Sequence, residues 1–168
     1  MVNSQTTPVD LLADIRTRHI ALMQTTAATL GHILAPLSQE QATTLRDEPD
    51  GWTVLEVLGH LRDFDAIFRR RAALLLEQDY PTLAPYDHEA MAVEREYNRQ
   101  DLRTAYEEFI HSRQQTIAFF ASLTDAQWER AGVHPERGHF PMTAACLQVG
   151  LHEVGHLEQI TRILLQRV

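Results

Sequence analysis

Two stretches decide how this chain folds: Gly51-Trp52-Thr53-Val54-Leu55-Glu56-Val57-Leu58-Gly59-His60-Leu61 and His152-Glu153-Val154-Gly155-His156-Leu157-Glu158-Gln159-Ile160. The first opens a helix. Thr53 and Glu56 stand three apart, the spacing at which a hydroxyl accepts a first-turn N–H while the carboxylate reaches back to the cap's own N–H. A helix turns by about 100° per residue. His60 therefore shares one stripe with Val57, Phe64, Ile67, Phe68 and Leu75, and points inward. In the second stretch His152 and His156 are four apart, which puts them on one face, one above the other. That face continues through Ala145, Val149, Ile160 and Ile163, so these two imidazoles point inward as well.

Outward from these stretches the chain reads as helix and loop. A first helix is expected over Pro8–Leu34, with Pro8 in its first turn and Leu11, Ile15, Leu22 and Leu30 on one face. Pro36 ends it. Ser38-Gln39-Glu40-Gln41 caps a short turn, and Asp47-Glu48-Pro49-Asp50-Gly51 is a loop signal. The second helix runs to about residue 78. Two prolines in Tyr80-Pro81-Thr82-Leu83-Ala84-Pro85-Tyr86 enforce an extended crossover. A third helix starts at Asp87 or Asn98 and reaches Ser122, with Leu102, Tyr106, Phe109, Arg113, Thr116 and Phe120 as its inner stripe. Thr124-Asp125-Ala126-Gln127 repeats the capping-box pattern and opens one short turn. Residues 132–141 read as loop, and a fourth helix covers 142–167. No segment alternates with period two, so almost no strand is expected. The fold predicted is all-α: an antiparallel four-helix bundle with a long crossover between the second and third helices, built as one domain over 1–168.

Composition narrows the function. The chain has 168 residues, 44% hydrophobic and 23% charged, the balance of an ordinary globular protein. A formal net charge of -8 disfavours nucleic acid as a partner. The one basic run, Arg69-Arg70-Arg71, lies inside a predicted helix. There is no lysine, which excludes Schiff-base chemistry. Cys146 is the single cysteine, so no internal disulfide can form, and its apolar neighbours predict a buried, inert thiol. No stretch is long and apolar enough to span a membrane, and residues 1–8 lack a signal-peptide core. The expected location is the cytoplasm.

Inward imidazoles need partners, because an unpaired buried polar group costs a few kcal/mol. One divalent metal ion shared by His60, His152 and His156 would satisfy all three. Three histidines with an open fourth position are a common zinc set, and nickel or iron would be accepted too. Ordinary hydrogen-bonded core histidines are the alternative. Asp63, three residues past His60, is a candidate general base, with pairing to Arg62 or Arg70 as its plainer role. Gln159, one turn beyond His156, and His139, in the loop entering the last helix, are candidates for contact with a bound small molecule. His134 shares that loop. Glu56 reads as a cap and Glu153 as an ion-pair partner on another side of its helix. Trp52 reads as a packing staple, and His19, His32, His88 and His111 as surface residues.

The two stretches, in this order and on these helices, resemble the hallmarks of the DinB superfamily: a Trp, a hydroxyl cap and a first histidine, then His-x-x-x-His followed by Gln and an aliphatic residue. Two departures stand out. Gly155 replaces an additional His found in many relatives, and Leu157-Glu158 stands where Arg-Gly is common. The resemblance implies a four-helix bundle with a three-histidine site for Zn²⁺ or Ni²⁺, often as a homodimer. It also implies small-molecule chemistry. Characterised relatives include S-transferases of bacillithiol or mycothiol and a mycothiol-dependent maleylpyruvate isomerase. Three functions follow as expectations. The first is metal-dependent transfer of a low-molecular-weight thiol to a small electrophile, a detoxification role. The second is metal-dependent hydrolysis. The third is a non-catalytic, metal-stabilised, stress-associated binding protein. An open metal position facing a cleft separates the first two from the third.

Overall fold

The structure, a computed structural model, describes residues 8–165. Its elements are α1 (Pro8–Leu34), α2 (Gln39–Thr44), α3 (Val54–Glu77), α4 (His88–Glu94), a 3₁₀ turn (Tyr97–Arg99), α5 (Leu102–Ala121), α6 (Asp125–Trp128), β1 (Ala131–His134), β2 (Gly138–Pro141) and α7 (Met142–Leu165). The expected end of the last helix at Arg167 lies outside the described residues. Ser38, Thr53 and Thr124 each form both halves of a capping box.

The third predicted helix is divided: the candidate start at Asp87 opens α4, whereas Asn98 falls inside the 3₁₀ turn and α5 begins later, at Leu102. Asp87 caps α4. Glu96 then takes a left-handed conformation (φ 48°), and Asp101 caps α5. The stretch 132–141, expected as loop, is instead largely a hairpin. β1 and β2 pair antiparallel with Val133 opposite His139, turning through Gly138 at φ 72°. Val133 also exchanges backbone hydrogen bonds of 2.8 Å with Pro81 and Leu83, which ties the two-proline crossover to the hairpin. Strands of only four residues, the second ending in Pro141, leave no sustained period-two signal to read.

α1, α3, α5 and α7 form the bundle. α1 packs on α5 and α7, and so does α3. α1 and α3 therefore face each other across one diagonal, α5 and α7 across the other. Directions follow from the contacts. Arg16 meets Thr143 and Thr26 meets Glu153, so α1 and α7 run parallel. Arg62 meets Glu108 and Arg69 meets Thr116, so α3 and α5 also run parallel. The antiparallel neighbours are α3 with α7 and α1 with α5, where Arg113 meets Met23 and Arg103 meets Leu34. This order explains the long crossover: a chain leaving α3 must return along the whole bundle before α5 can start in the same direction.

The inward face of α1 is Met23, Thr26, Ala27, Leu30 and Leu34, while Leu11, expected on that face, is exposed. Arg16 is already level with Thr143, so Leu11 lies beyond the start of the neighbouring α7.

Two apolar clusters fill the bundle. One gathers Leu30, Leu34, Leu55, Leu58, Phe109 and Ile160; the other gathers Met23, Phe68, Leu75, Phe120, Met142 and Cys146. The Cys146 thiol is fully buried, and burial pushes its pKa up to about 12. A polar layer separates the clusters. Arg113 of α5 donates to Asp65 of α3 (Nε to Oδ1, 2.6 Å) and to Glu153 of α7. Thr26 of α1 donates to the same Glu153 oxygen, while Ser112 and Thr116 donate to Asp65. Asp65 and Glu153 side chains are fully buried and that of Arg113 is 3% exposed. Among the described residues no helix is long and apolar enough to cross a membrane.

Removing one member of a buried ion network leaves uncompensated charge, at a cost of about 3–5 kcal/mol. Arg113→Met should lower unfolding stability by that much in urea denaturation, whereas Glu108→Gln, on an exposed pair, should change it by less than about 1 kcal/mol.

Candidate metal centre

The capping box at Thr53 fixes the start of α3, and His60 follows in its second turn. Gly59 is needed for what packs behind it: a Cβ there would lie 2.6 Å from Cγ of Tyr97. His60 is 4% exposed, walled by Trp52 and Phe64 at ring distances of 4.9 and 4.2 Å. Antiparallel packing of α3 on α7 brings His152 and His156 to the same level. Nε2 of His152 lies 3.0 Å from Nε2 of His60 and 3.2 Å from Nε2 of His156. One ring nitrogen from each of the three residues lies within 4.8 Å of the other two.

Electrostatics keep the three rings neutral. Burial, reinforced by the neighbouring imidazoles, lowers His60 to about 2 and His152 to about 3, and burial lowers His156 as well. A neutral imidazole nitrogen carries either one proton or one lone pair in the ring plane. Nε2 of His152 therefore cannot satisfy both of its close neighbours. The Gln159 carbonyl oxygen lies 2.8 Å from Nδ1 of His156. It accepts that N–H, which leaves the Nε2 lone pair of His156 aimed at the cluster. Nitrogens bound at about 2.0–2.1 Å to one zinc ion sit about 2.9–3.4 Å apart, so the donor set and its spacing suit a single divalent cation.

The triad lies at the bottom of a cavity of about 540 Å³ whose walls include Trp52, Phe64, His88, Glu89 and Gln159. Gln159 lines this cavity and also orients a histidine. Asp63 does not. It is 7% exposed and is engaged by Arg62 (2.9 Å), Arg95 (2.6 Å) and the Tyr97 hydroxyl (2.6 Å), away from the triad's cavity. His139 is also elsewhere, stacked on Tyr80 with its Nδ1 3.0 Å from the Tyr80 hydroxyl. Trp52 does more than staple the helix, since it lines the cavity and its indole donates to Glu89 (3.2 Å). His88, read as a surface residue, stands at the cavity wall with its ring 6.1 Å from that of His60. It arrives on α4 from the crossover, and no local spacing in the sequence links it to the triad.

A model of the DinB superfamily matches residues 21–160. The chain belongs to the DinB superfamily. Among its relatives, one from Oceanobacillus iheyensis, named "Putative metal-dependent hydrolase OB0782", is 29% identical over 135 residues, 80% of this chain and 77% of the relative. "Putative metal-dependent hydrolase YfiT" of Bacillus subtilis is 26% identical over 150 residues, 85% of this chain and 82% of the relative. The solved structure of YfiT, described as having an unusual four-helix bundle topology, superposes with a TM-score of 0.82 at 21% identity, over 99% of this chain and 92% of that one. A mycothiol-dependent maleylpyruvate isomerase superposes with a TM-score of 0.69 at 9% identity, over 86% of this chain and 60% of that one. These two superpositions establish a shared fold.

The lowered imidazole pKa values make the metal-free DinB fold acid-sensitive. In the unfolded chain these rings protonate near 6.5, but in the fold His60 and His152 stay neutral down to about 2 and 3. Below 6.5 the unfolded state binds more protons, so stability falls with pH by up to about 1.4 kcal/mol per pH unit for each ring. For chelator-treated protein, the urea midpoint should fall steadily between about pH 7 and pH 4, and His60→Gln should flatten that slope. An unchanged slope in the variant would show that His60 titrates normally.

Proposed function

We propose that this DinB protein is a metal-dependent enzyme that transfers a low-molecular-weight thiol, of the bacillithiol or mycothiol type, to a small electrophile. The observation that carries this reading is the convergence of three neutral imidazole nitrogens at the bottom of an open cavity. A divalent ion held by His60, His152 and His156 would supply Lewis acidity, stabilising the thiolate form of a bound thiol at neutral pH. In that form the sulfur would form a C–S bond to the electrophile, the leaving group departing with the bonding pair and the thiol proton passing to solvent. The chain's own residues prepare this. Gln159 fixes the His156 tautomer, Trp52 and Phe64 exclude water from the His60 side, and the cavity holds the two small reactants together.

The placement of Asp63 favours thiol transfer over hydrolysis. Activating water calls for a general base within hydrogen-bond reach, and Asp63 is committed to Arg62, Arg95 and Tyr97. A thiol, with its ordinary pKa near 8.5, needs less help. The hydrolytic reading draws on other residues, Glu48, Asp50 and Glu89, which line the cavity, and on the names of the curated relatives.

Metal content settles the first step. Protein purified without a metal-affinity column should carry about one divalent ion per chain, and the double variant His60→Ala/His156→Ala should carry none. Gln159→Leu, which removes the partner of a ligand imidazole, should weaken metal affinity by about 10–100-fold. Incubation of the loaded protein with a small thiol and an alkylating electrophile should yield a thioether at a rate lost in His60→Ala. Turnover of esters or amides with no thiol present would instead establish the hydrolytic reading.

A further inference from the structure

A second, smaller cavity of about 220 Å³ adjoins the first, and Phe64, His88 and His152 wall both. Its far side is made by Arg71 of α3 and by His134 at the end of β1. Arg71 is unusual among the buried cations. It is 7% exposed, yet among the described residues it has no carboxylate partner. By contrast Arg113, equally deep, holds two carboxylates. Glu136, on the exposed hairpin tip, lines the same cavity and is felt electrostatically by Arg71, but forms no ion pair with it. The Arg71 guanidinium donates Nη2 to the Ala84 carbonyl (2.6 Å) and covers the Tyr86 ring at 4.9 Å, while Nε–H is buried with no partner.

The His134 tautomer sharpens the point. The backbone N–H of Glu136 donates to Nδ1 of His134 (3.3 Å), so the neutral ring carries its proton on Nε2. Burial and the neighbouring Arg71 both lower the His134 pKa, which keeps the ring neutral. That Nε2 lies 3.5 Å from Nη1 of Arg71. Two donors thus face each other beside a cavity, an arrangement that an acceptor lying between and in front of them would relieve. Arg71 also has the fork of N–H groups that matches a planar oxyanion.

We propose that this cavity is a carboxylate subsite, in which Arg71 and His134 together bind a carboxylate of the substrate whose reacting end lies at the histidine triad. The inference rests on the metal-centre reading for what happens at that reacting end, and it narrows the substrate class to anionic small molecules. Pinning the crossover at Ala84 is the purely structural role of Arg71. It accounts for the Nη2 bond but not for an unpartnered Nε or for two facing donors.

The test is calorimetric titration of ω-mercapto acids of increasing chain length against the matching ω-mercapto alcohols, on zinc-loaded and on chelator-treated protein. The best-fitting acid should bind wild type about tenfold or more tightly than its alcohol, the scale expected of a charge-assisted pair. Arg71→Met should lose that preference while leaving the alcohol's affinity unchanged. Arg71→Lys, which keeps the charge and the crossover contact, should retain part of it. The acid-to-alcohol ratio reports the subsite, and the loss of affinity for both probes on chelation reports the metal centre, so each can fail alone. Equal affinities for acid and alcohol in wild type would overturn the proposal without recourse to a variant. A preference of undiminished size in Arg71→Met would overturn it as well.

Discussion

The Asp65–Arg113–Glu153 network is the constraint on which the rest of the structure depends. It takes one charged residue from each of α3, α5 and α7, and Thr26 adds α1 through the shared Glu153 oxygen. Apolar packing is tolerant of small slips, since one aliphatic surface resembles another a turn away. A buried arginine bridging two buried carboxylates has no such tolerance, because a slip would strand charge in a medium that penalises it heavily. The network therefore works as a register pin between two apolar clusters. Such pins add less to net stability than to the uniqueness of the arrangement they specify.

The histidine cluster inherits that register. Glu153 sits next to His152, and Asp65 lies just over one turn beyond His60 on the same helix. Fixing Asp65 and Glu153 on opposite ends of one guanidinium fixes the level at which His60 meets His152. The core is apolar on both sides of the pin. Beside it Trp52, Phe64 and Phe68 surround the imidazoles and desolvate them, which lowers their proton affinity and leaves lone pairs directed at one point. Burial that would be a plain cost for three unpaired histidines becomes useful if a cation takes the place of the missing protons.

Local chemistry made much of this legible in the sequence. The boxes at Ser38, Thr53 and Thr124 announced helix starts, and the inner stripe of α5 could be read from Leu102 to Phe120, including the polar members Arg113 and Thr116. Periodicity on two helices pointed His60, His152 and His156 inward, and the family resemblance joined them into one site. Relations between distant segments were not legible. Nothing local to His88 reveals that α4 returns it to the cavity, and nothing local to Arg71 reveals that it lacks an acidic partner. The Leu11 stripe misled because periodicity reports which face could be buried, not whether a neighbouring helix extends far enough to bury it. Asp63 misled similarly. Its place three residues after His60 was read correctly, but Tyr97, which holds it, comes from the far end of the crossover.

Topology explains why the site has walls at all. In a bundle whose successive helices are antiparallel neighbours, short loops close the ends and the helices alone surround the core. Here α3 and α5 run parallel, so the connection between them must travel the bundle's length, and α5 must then cross a diagonal to reach α7. The first connection carries Ala84, Tyr86 and His88 over the inner face of α3; the second carries the hairpin with His134 to the same region. Backbone hydrogen bonds between Val133 and the Pro81 and Leu83 positions join the two, so they brace each other as one wall. The helices supply the imidazoles and the pin that aligns them. The connections, forced to be long by helix direction, supply the residues that would choose what binds, and they are the parts of this scaffold free to change without disturbing the register beneath.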